Sequence, residues 1–127
     1  DVFIGVSKAG LVTKEMVRSM AAQAIVFAMA NPDPEISEAD AKEAGAAVVA
    51  TGRSDSQNQL NNVLVFPGIF RGALDARITF FTQKMFLAAA EALASLVQDP
   101  GTEKIIPSPF EAGVAEAISR SVREELK

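Results

Sequence analysis

Three short apolar runs, "DVFIGVS" (1–7), "AIVFAMA" (24–30) and "AAVVAT" (46–51), constrain this chain more than any other feature. Each carries β-branched or aromatic residues with little alternation, the pattern of a strand covered on both faces. Between the first two, "TKEMVRSMAA" (13–22) offers Thr13 as a helix cap and puts Met16, Val17 and Met20 on one side. Between the second and third, "SEADAKEAG" (37–45) offers Ser37 as cap, Asp40 three residues later and Gly45 as terminator. A β-α-β-α-β order in so few residues predicts parallel strands joined by right-handed crossovers. The fold class expected is α/β, a Rossmann-like three-layer half-domain with about three parallel strands, followed by C-terminal helices.

Those helices begin after residue 62. "VLVFPGIFRGALDA" (63–76) predicts a helix with Pro67 near its first turn, because a proline deeper inside would break it. "TQKMFLAAAEALASLVQ" (82–98) has Thr82 as cap and an apolar face of Met85, Ala88, Ala89, Ala92, Leu93 and Leu96, stopping at Pro100 and Gly101. Its alanines permit close helix packing. "SPFEAGVAEAISRSVREELK" (108–127) predicts a helix capped by Ser108, with Pro109 at its first position, Glu111 closing a capping box, and Val114, Ile118 and Val122 on one side.

With 127 residues, 49% of them hydrophobic, the chain can bury one core and is too short for two ordinary domains. It opens on Asp1 and is almost at once inside a strand, which reads as a segment, 1–127, of something longer. A net charge of −4 without a Lys or Arg run gives no electrostatic footprint for nucleic acid or an anionic membrane surface. No apolar run approaches a bilayer span and no secretion signal is evident, so a soluble, cytoplasmic protein is expected. The absence of Cys and His removes disulfides, thiol nucleophiles, imidazole bases and ordinary zinc sites. Any acid or base here must be Asp, Glu or Lys.

Ligands of open α/β sheets sit beyond the carboxyl ends of the strands. There the sequence places "GVSKAG" (5–10), "ANPDPE" (30–35) and "TGRSDSQNQLNN" (51–62). The first spaces Gly5, Ser7 and Gly10 like a degenerate dinucleotide fingerprint, but also like an ordinary tight turn. Ser7 as nucleophile is set aside, since no His can activate it. Lys8 acts as a base only if desolvated, and a solvated loop lysine is the simpler reading. Asn31, followed by two prolines, reads as an Asx-turn or as a polar group at the strand tip. Asp33 and Asp55 are metal-ligand candidates or hydrated loop acids, and Arg53 could meet a carboxylate, a phosphate or only water. "TGRSD" lacks the spacing and lysine of a Walker loop.

The last of these segments ends in "QNQLNN" (57–62), five carboxamides in six positions. One of them as a helix cap needs no further account; five exceed that use. A carboxamide both donates and accepts without charge, so it can orient a polar ligand without shifting the pKa of the reacting group.

Taken in order, "DVFIGVS", "FAMANPDPE", "ATGRSDSQNQLNNVLVFPGIFRGALD", "KMFLAAAEALASLV" and "IIPSPF" resemble the carboxyl-terminal part of malic enzymes of the smaller bacterial and archaeal type, over essentially the whole chain. The block "NQLNNVLVFPGIFRGALD" is the most specific part. The resemblance implies oxidation of malate with NAD or NADP and decarboxylation to pyruvate with Mg or Mn. It implies substrate contacts from Asn31 and Asn62, and cofactor contacts from Gly5, Val6, Ser7, Asn31 and Asn61. The family's Tyr acid, Lys base, metal-binding carboxylates and glycine-rich fingerprint lie upstream of the matched region, so no catalytic or metal residue is expected here and the isolated chain should be inactive. A homo-oligomer is expected for the full enzyme. The alternatives are a malolactic outcome, a non-catalytic nucleotide-binding module, or an interaction piece pairing through a sheet edge. All site assignments rest on Ser7, Asn31 and Asn62 surrounding one cavity.

Overall fold

The computed structural model describes residues 1–125 and divides into two compact units. The first comprises Asp1–Asn61 with Gly101–Lys104, the second Asn62–Pro100 with the chain from Ile105 onward.

The first unit holds three parallel strands, β1 (Val2–Gly5), β2 (Ile25–Ala28) and β3 (Val48–Thr51), in the order β1-β2-β3. Phe3, Val26 and Val49 align across the sheet, as do Gly5, Ala28 and Thr51, so each row points to one face. That face carries α1 (Lys14–Arg18) and α2 (Glu38–Glu43), and the core between them joins Val26, Ala28 and Val49 to Val17, Ile36 and Ala41. Both helices start where cap chemistry places them: Thr13 Oγ1 accepts from Met16 N at 3.3 Å and Ser37 Oγ from Asp40 N at 3.0 Å. Gly45, at φ +103°, follows the end of α2 as expected.

Two expectations are corrected in this unit. α1 is one short turn of helix that buries Val17 and leaves Met16 exposed, because five residues present too narrow a face to bury both. β1 is an edge strand whose outward residues Val2 and Ile4 are 53% and 63% exposed, so burial on both faces does not hold for it.

The second unit opens with a 3₁₀ turn, Asn62–Leu64, and continues as α3 (Phe66–Asp75), α4 (Gln83–Ser95) and α5 (Val114–Glu124). Pro67 lies in the first turn of α3, where its missing N–H costs nothing. Thr82 Oγ1 caps α4 through Met85 N at 3.3 Å, and Met85, Ala89 and Leu93 are buried as the periodicity requires. α4 stops at Ser95, short of Gln98, with the proline beyond it. α3 packs on α5 through Gly68 and Gly72, one helical turn apart: a β-carbon on Gly68 would stand 2.6 Å from Ile118 Cβ, and one on Gly72 2.8 Å from the Ser119 carbonyl oxygen.

The start of α5 departs from expectation. Ser108, Pro109 and Glu111 form a separate turn, with Glu111 Oε2 accepting from Ser108 N at 3.4 Å and Glu111 N donating to the Ser108 carbonyl at 3.0 Å. Gly113, at φ +91°, then resets the chain and the helix begins at Val114. Val114, Ile118 and Val122 are buried on one side, as predicted, joined by Ser119. The expected continuation to residue 127 extends past the described residues. No helix among the described residues is long and apolar enough to cross a membrane.

Candidate functional site

The carboxyl edge of the first unit's sheet is built around a side chain that the sequence reading did not single out. Glu35 is fully buried, just after the tip of β2. Its Oε1 accepts from Ser7 N at 2.8 Å, with the Ser7 hydroxyl at 3.5 Å, and its Oε2 accepts from Ala30 N at 3.0 Å. Burial pushes such a carboxyl toward the neutral form; the hydrogen bonds from Ser7 and Ala30 outweigh it and hold the group below the ordinary carboxylate range. The main chain adds to this lacing, since Gly10 N donates to the Pro34 carbonyl at 3.2 Å and Val12 N to that of Glu35 at 3.0 Å. The loop after β1 and the loop after β2 are therefore joined by four hydrogen bonds, all to residues 34 and 35, and the Ala30 bond braces Glu35 within the second loop.

This arrangement fixes where the candidate cofactor residues stand. Gly5 is buried, and the space in front of its Cα is filled by the Glu35 carboxyl. Val6, 77% exposed, and Ser7 are the members of the triplet that face solvent. Asn31 is exposed one residue beyond Ala30, and its bond to Pro32 is cis. Ser7 and Asn31 thus leave the tips of two adjacent parallel strands at one edge.

The carboxamide run separates into different uses. Thr51 N donates to the Asn58 carbonyl at 3.2 Å and Leu60 N to the Thr51 carbonyl at 2.8 Å, so residues 52–59 fold back onto the tip of β3. Asn58 is buried and its Nδ2 donates to the Val49 carbonyl at 3.1 Å and the Thr102 carbonyl at 2.9 Å. Gln57 Oε1 accepts from Lys42 Nζ at 3.0 Å. Asn61 Nδ2 donates to the Gly52 carbonyl at 2.8 Å, which holds this exposed residue at the end of β3. Asn62, also exposed, begins the second unit and its carbonyl accepts from Val65 N at 3.0 Å.

A cleft of about 430 Å³ opens at the same edge, lined by Gly10, Asp33, Ser37, Thr51, Arg53 and Asp55 among others. Ser7, Asn31 and Asn61 do not line it. Arg53 is engaged there in a two-pronged pair with Asp55, at 2.8 Å for both bonds, with Asp33 3.6 Å away. Its charge is met by these carboxylates. Among the described residues no group of three His, Cys, Asp or Glu side chains converges as a metal site. Asp33 and Asp55 both pair with Arg53.

Residues 1–125 match the family model described as "Malic enzyme, NAD binding domain". The chain belongs to the malic enzyme NAD-binding domain family. It is 60% identical over 124 residues to the bifunctional malic/malolactic enzyme of Bacillus subtilis, a match covering 96% of this chain and 30% of that protein. With the NAD-dependent malic enzyme of Geobacillus stearothermophilus it shares 52% identity over 126 residues, 98% of this chain and 26% of that one. The crystal structure of malic enzyme from Pyrococcus horikoshii superposes with a TM-score of 0.92 at 50% identity, over 98% of this chain and 29% of that chain. This malic enzyme domain thus spans less than a third of the length of those relatives, and its parallel sheet with helices is the Rossmann-like arrangement expected from the sequence.

Proposed function

We propose that this domain is the portion of an NAD(P)-dependent malic enzyme that positions malate and the nicotinamide end of the cofactor. The observation that carries the reading is the edge geometry: Ser7 and Asn31 leave adjacent strand tips, and the Asn61 carboxamide is bonded to the tip of the third strand, immediately before Asn62. In this reading the chain at Val6 and Ser7, both exposed residues, passes the cofactor's ribose, with Gly5 behind it making room for Glu35. Asn31 and Asn61 face the nicotinamide, and Asn31 and Asn62 hydrogen-bond malate. When bound, NAD or NADP accepts the hydride that malate gives up. The chain's own contribution is orientation, since uncharged amides hold a hydroxyl and a carboxylate without perturbing the reacting group.

The remaining parts of the reaction are assigned outside these 127 residues. An acid, a base and the carboxylates for Mg or Mn, needed for decarboxylation to pyruvate, would come from the rest of a malic enzyme of the relatives' length. Such an enzyme is proposed to be a cytoplasmic homo-oligomer acting on a small molecule, with no nucleic-acid or membrane partner. The test is Asn62→Ala in a malic enzyme of full length carrying this domain. Malate-dependent NAD(P)H formation should fall about a hundredfold, the scale of a lost positioning contact; undiminished turnover removes the assignment. The 127-residue chain alone should form no NAD(P)H from malate.

A further inference from the structure

We propose that Glu35 is a positioning residue for the cofactor: its carboxylate ties the loop carrying Ser7 to the strand tip that precedes Asn31, so that both present to one dinucleotide in a fixed relation. The inference rests on the preceding assignment of Ser7 and Asn31 to the cofactor, and adds a residue that touches neither malate nor nucleotide.

Three observations carry it. Glu35 takes one N–H from each loop on separate oxygens, Ser7 N on Oε1 at 2.8 Å and Ala30 N on Oε2 at 3.0 Å, so a single planar group sets the distance between them. The site is built to hold this carboxylate, since Gly5 leaves no β-carbon where one would meet Glu35 Cδ and Oε1 at 2.5 Å. And Glu35 is fully buried, with its charge met by the backbone N–H groups of Ser7 and Ala30. A structural filler at this position would be apolar. A buried carboxylate satisfied by two strand-end amides fixes orientation at a place where orientation is the function.

The substitution Glu35→Gln keeps the shape but offers one carbonyl oxygen where two acceptors are needed, turning an N–H of its own toward Ser7 or Ala30. Glu35→Asp keeps the charge and draws it back by one methylene. In a malic enzyme of full length carrying this domain, hydrogen exchange in peptides spanning Ser7 and Ala30 should quicken in the order Glu, Asp, Gln. The KM for NAD(P) should rise about tenfold in Glu35→Gln, the equivalent of ~1.4 kcal/mol, with Glu35→Asp between. A role confined to stability would lower kcat through the folded fraction and leave KM alone. Unchanged exchange at Ser7 and Ala30 in Glu35→Gln overturns the tether, and faster exchange with an unchanged KM for NAD(P) overturns its link to the cofactor. Failure of the underlying assignment shows separately, as an unchanged KM for NAD(P) in Asn31→Ala.

Discussion

Gly5 and Glu35 divide one space between them: a β-carbon at position 5 would lie 2.5 Å from the Glu35 carboxyl and 2.8 Å from Cε1 of Phe3. Gly5→Ala must therefore displace either a buried charge or a ring of the core. Overpacking of this kind costs about 1–3 kcal/mol, and drawing the carboxylate off its donors adds to that. Thermal denaturation followed by circular dichroism should show a lower midpoint for Gly5→Ala; a midpoint equal to the parent's would show that the carboxylate moves aside freely.

The same carboxylate gives a sign to the acid response. Its folded pKa lies below the ordinary value of 4.5, against the effect of burial, because Ser7 and Ala30 donate to the charged form. A depressed carboxyl contributes stability that is present above its unfolded pKa and lost as pH falls through its folded one. Urea unfolding should accordingly show the parent more stable than Glu35→Gln at neutral pH, with the gap narrowing once pH drops below about 4.5. A gap independent of pH would mean that the charge is not what holds the loops.

Carboxamides four positions apart should behave oppositely. Asn58 is buried and donates to the Val49 and Thr102 carbonyls, so Asn58→Ala leaves two acceptors without that donor and should cost about 1–3 kcal/mol in chemical denaturation. Asn62 is exposed, and Asn62→Ala should stay within about 0.5 kcal/mol of the parent. The activity loss proposed for Asn62 would then be separable from folding. Equal destabilisation by the two substitutions would undo that separation.

Ser119 is buried in α5, and its hydroxyl oxygen has no hydrogen-bond partner among the described residues. Such a group carries a desolvation cost of about 1–3 kcal/mol without return. Ser119→Ala removes it with little change in volume and should raise the thermal midpoint or leave it unchanged. A clear decrease would reveal a partner for the hydroxyl in solution.

The parts of this molecule that could be read from the sequence are those whose determinants are local. Thr13, Ser37 and Thr82 cap their helices because the hydroxyl and the N–H it accepts from are three residues apart. The three strands declare themselves by composition alone. Ser108 shows the limit of such reasoning: Glu111 returns to Ser108 N as drawn, but the Ser108 hydroxyl accepts from Phe110 N instead of Glu111 N, and Gly113 in the left-handed region resets the chain before α5 begins. The amide run shows another limit, because Asn58 is defined by an acceptor at Thr102, 44 residues away, which no local pattern records. Glu35 was missed for the same reason. Its one local hint is a glutamate placed between Pro34 and the buried Ile36, where a solvated side chain would be out of place.

The glycine contact between α3 and α5 brings the two backbones together without cushioning side chains. A helix gripped so closely has little room to slide or rotate, and the turn bearing Asn62 leads directly into α3. The aim of that amide is thereby set partly by Ile118 and Ser119, more than fifty positions further along the polymer. On the role proposed for Asn62, engineering malate binding would include an address that looks remote from chemistry: the seam where Gly68 and Gly72 meet the last helix.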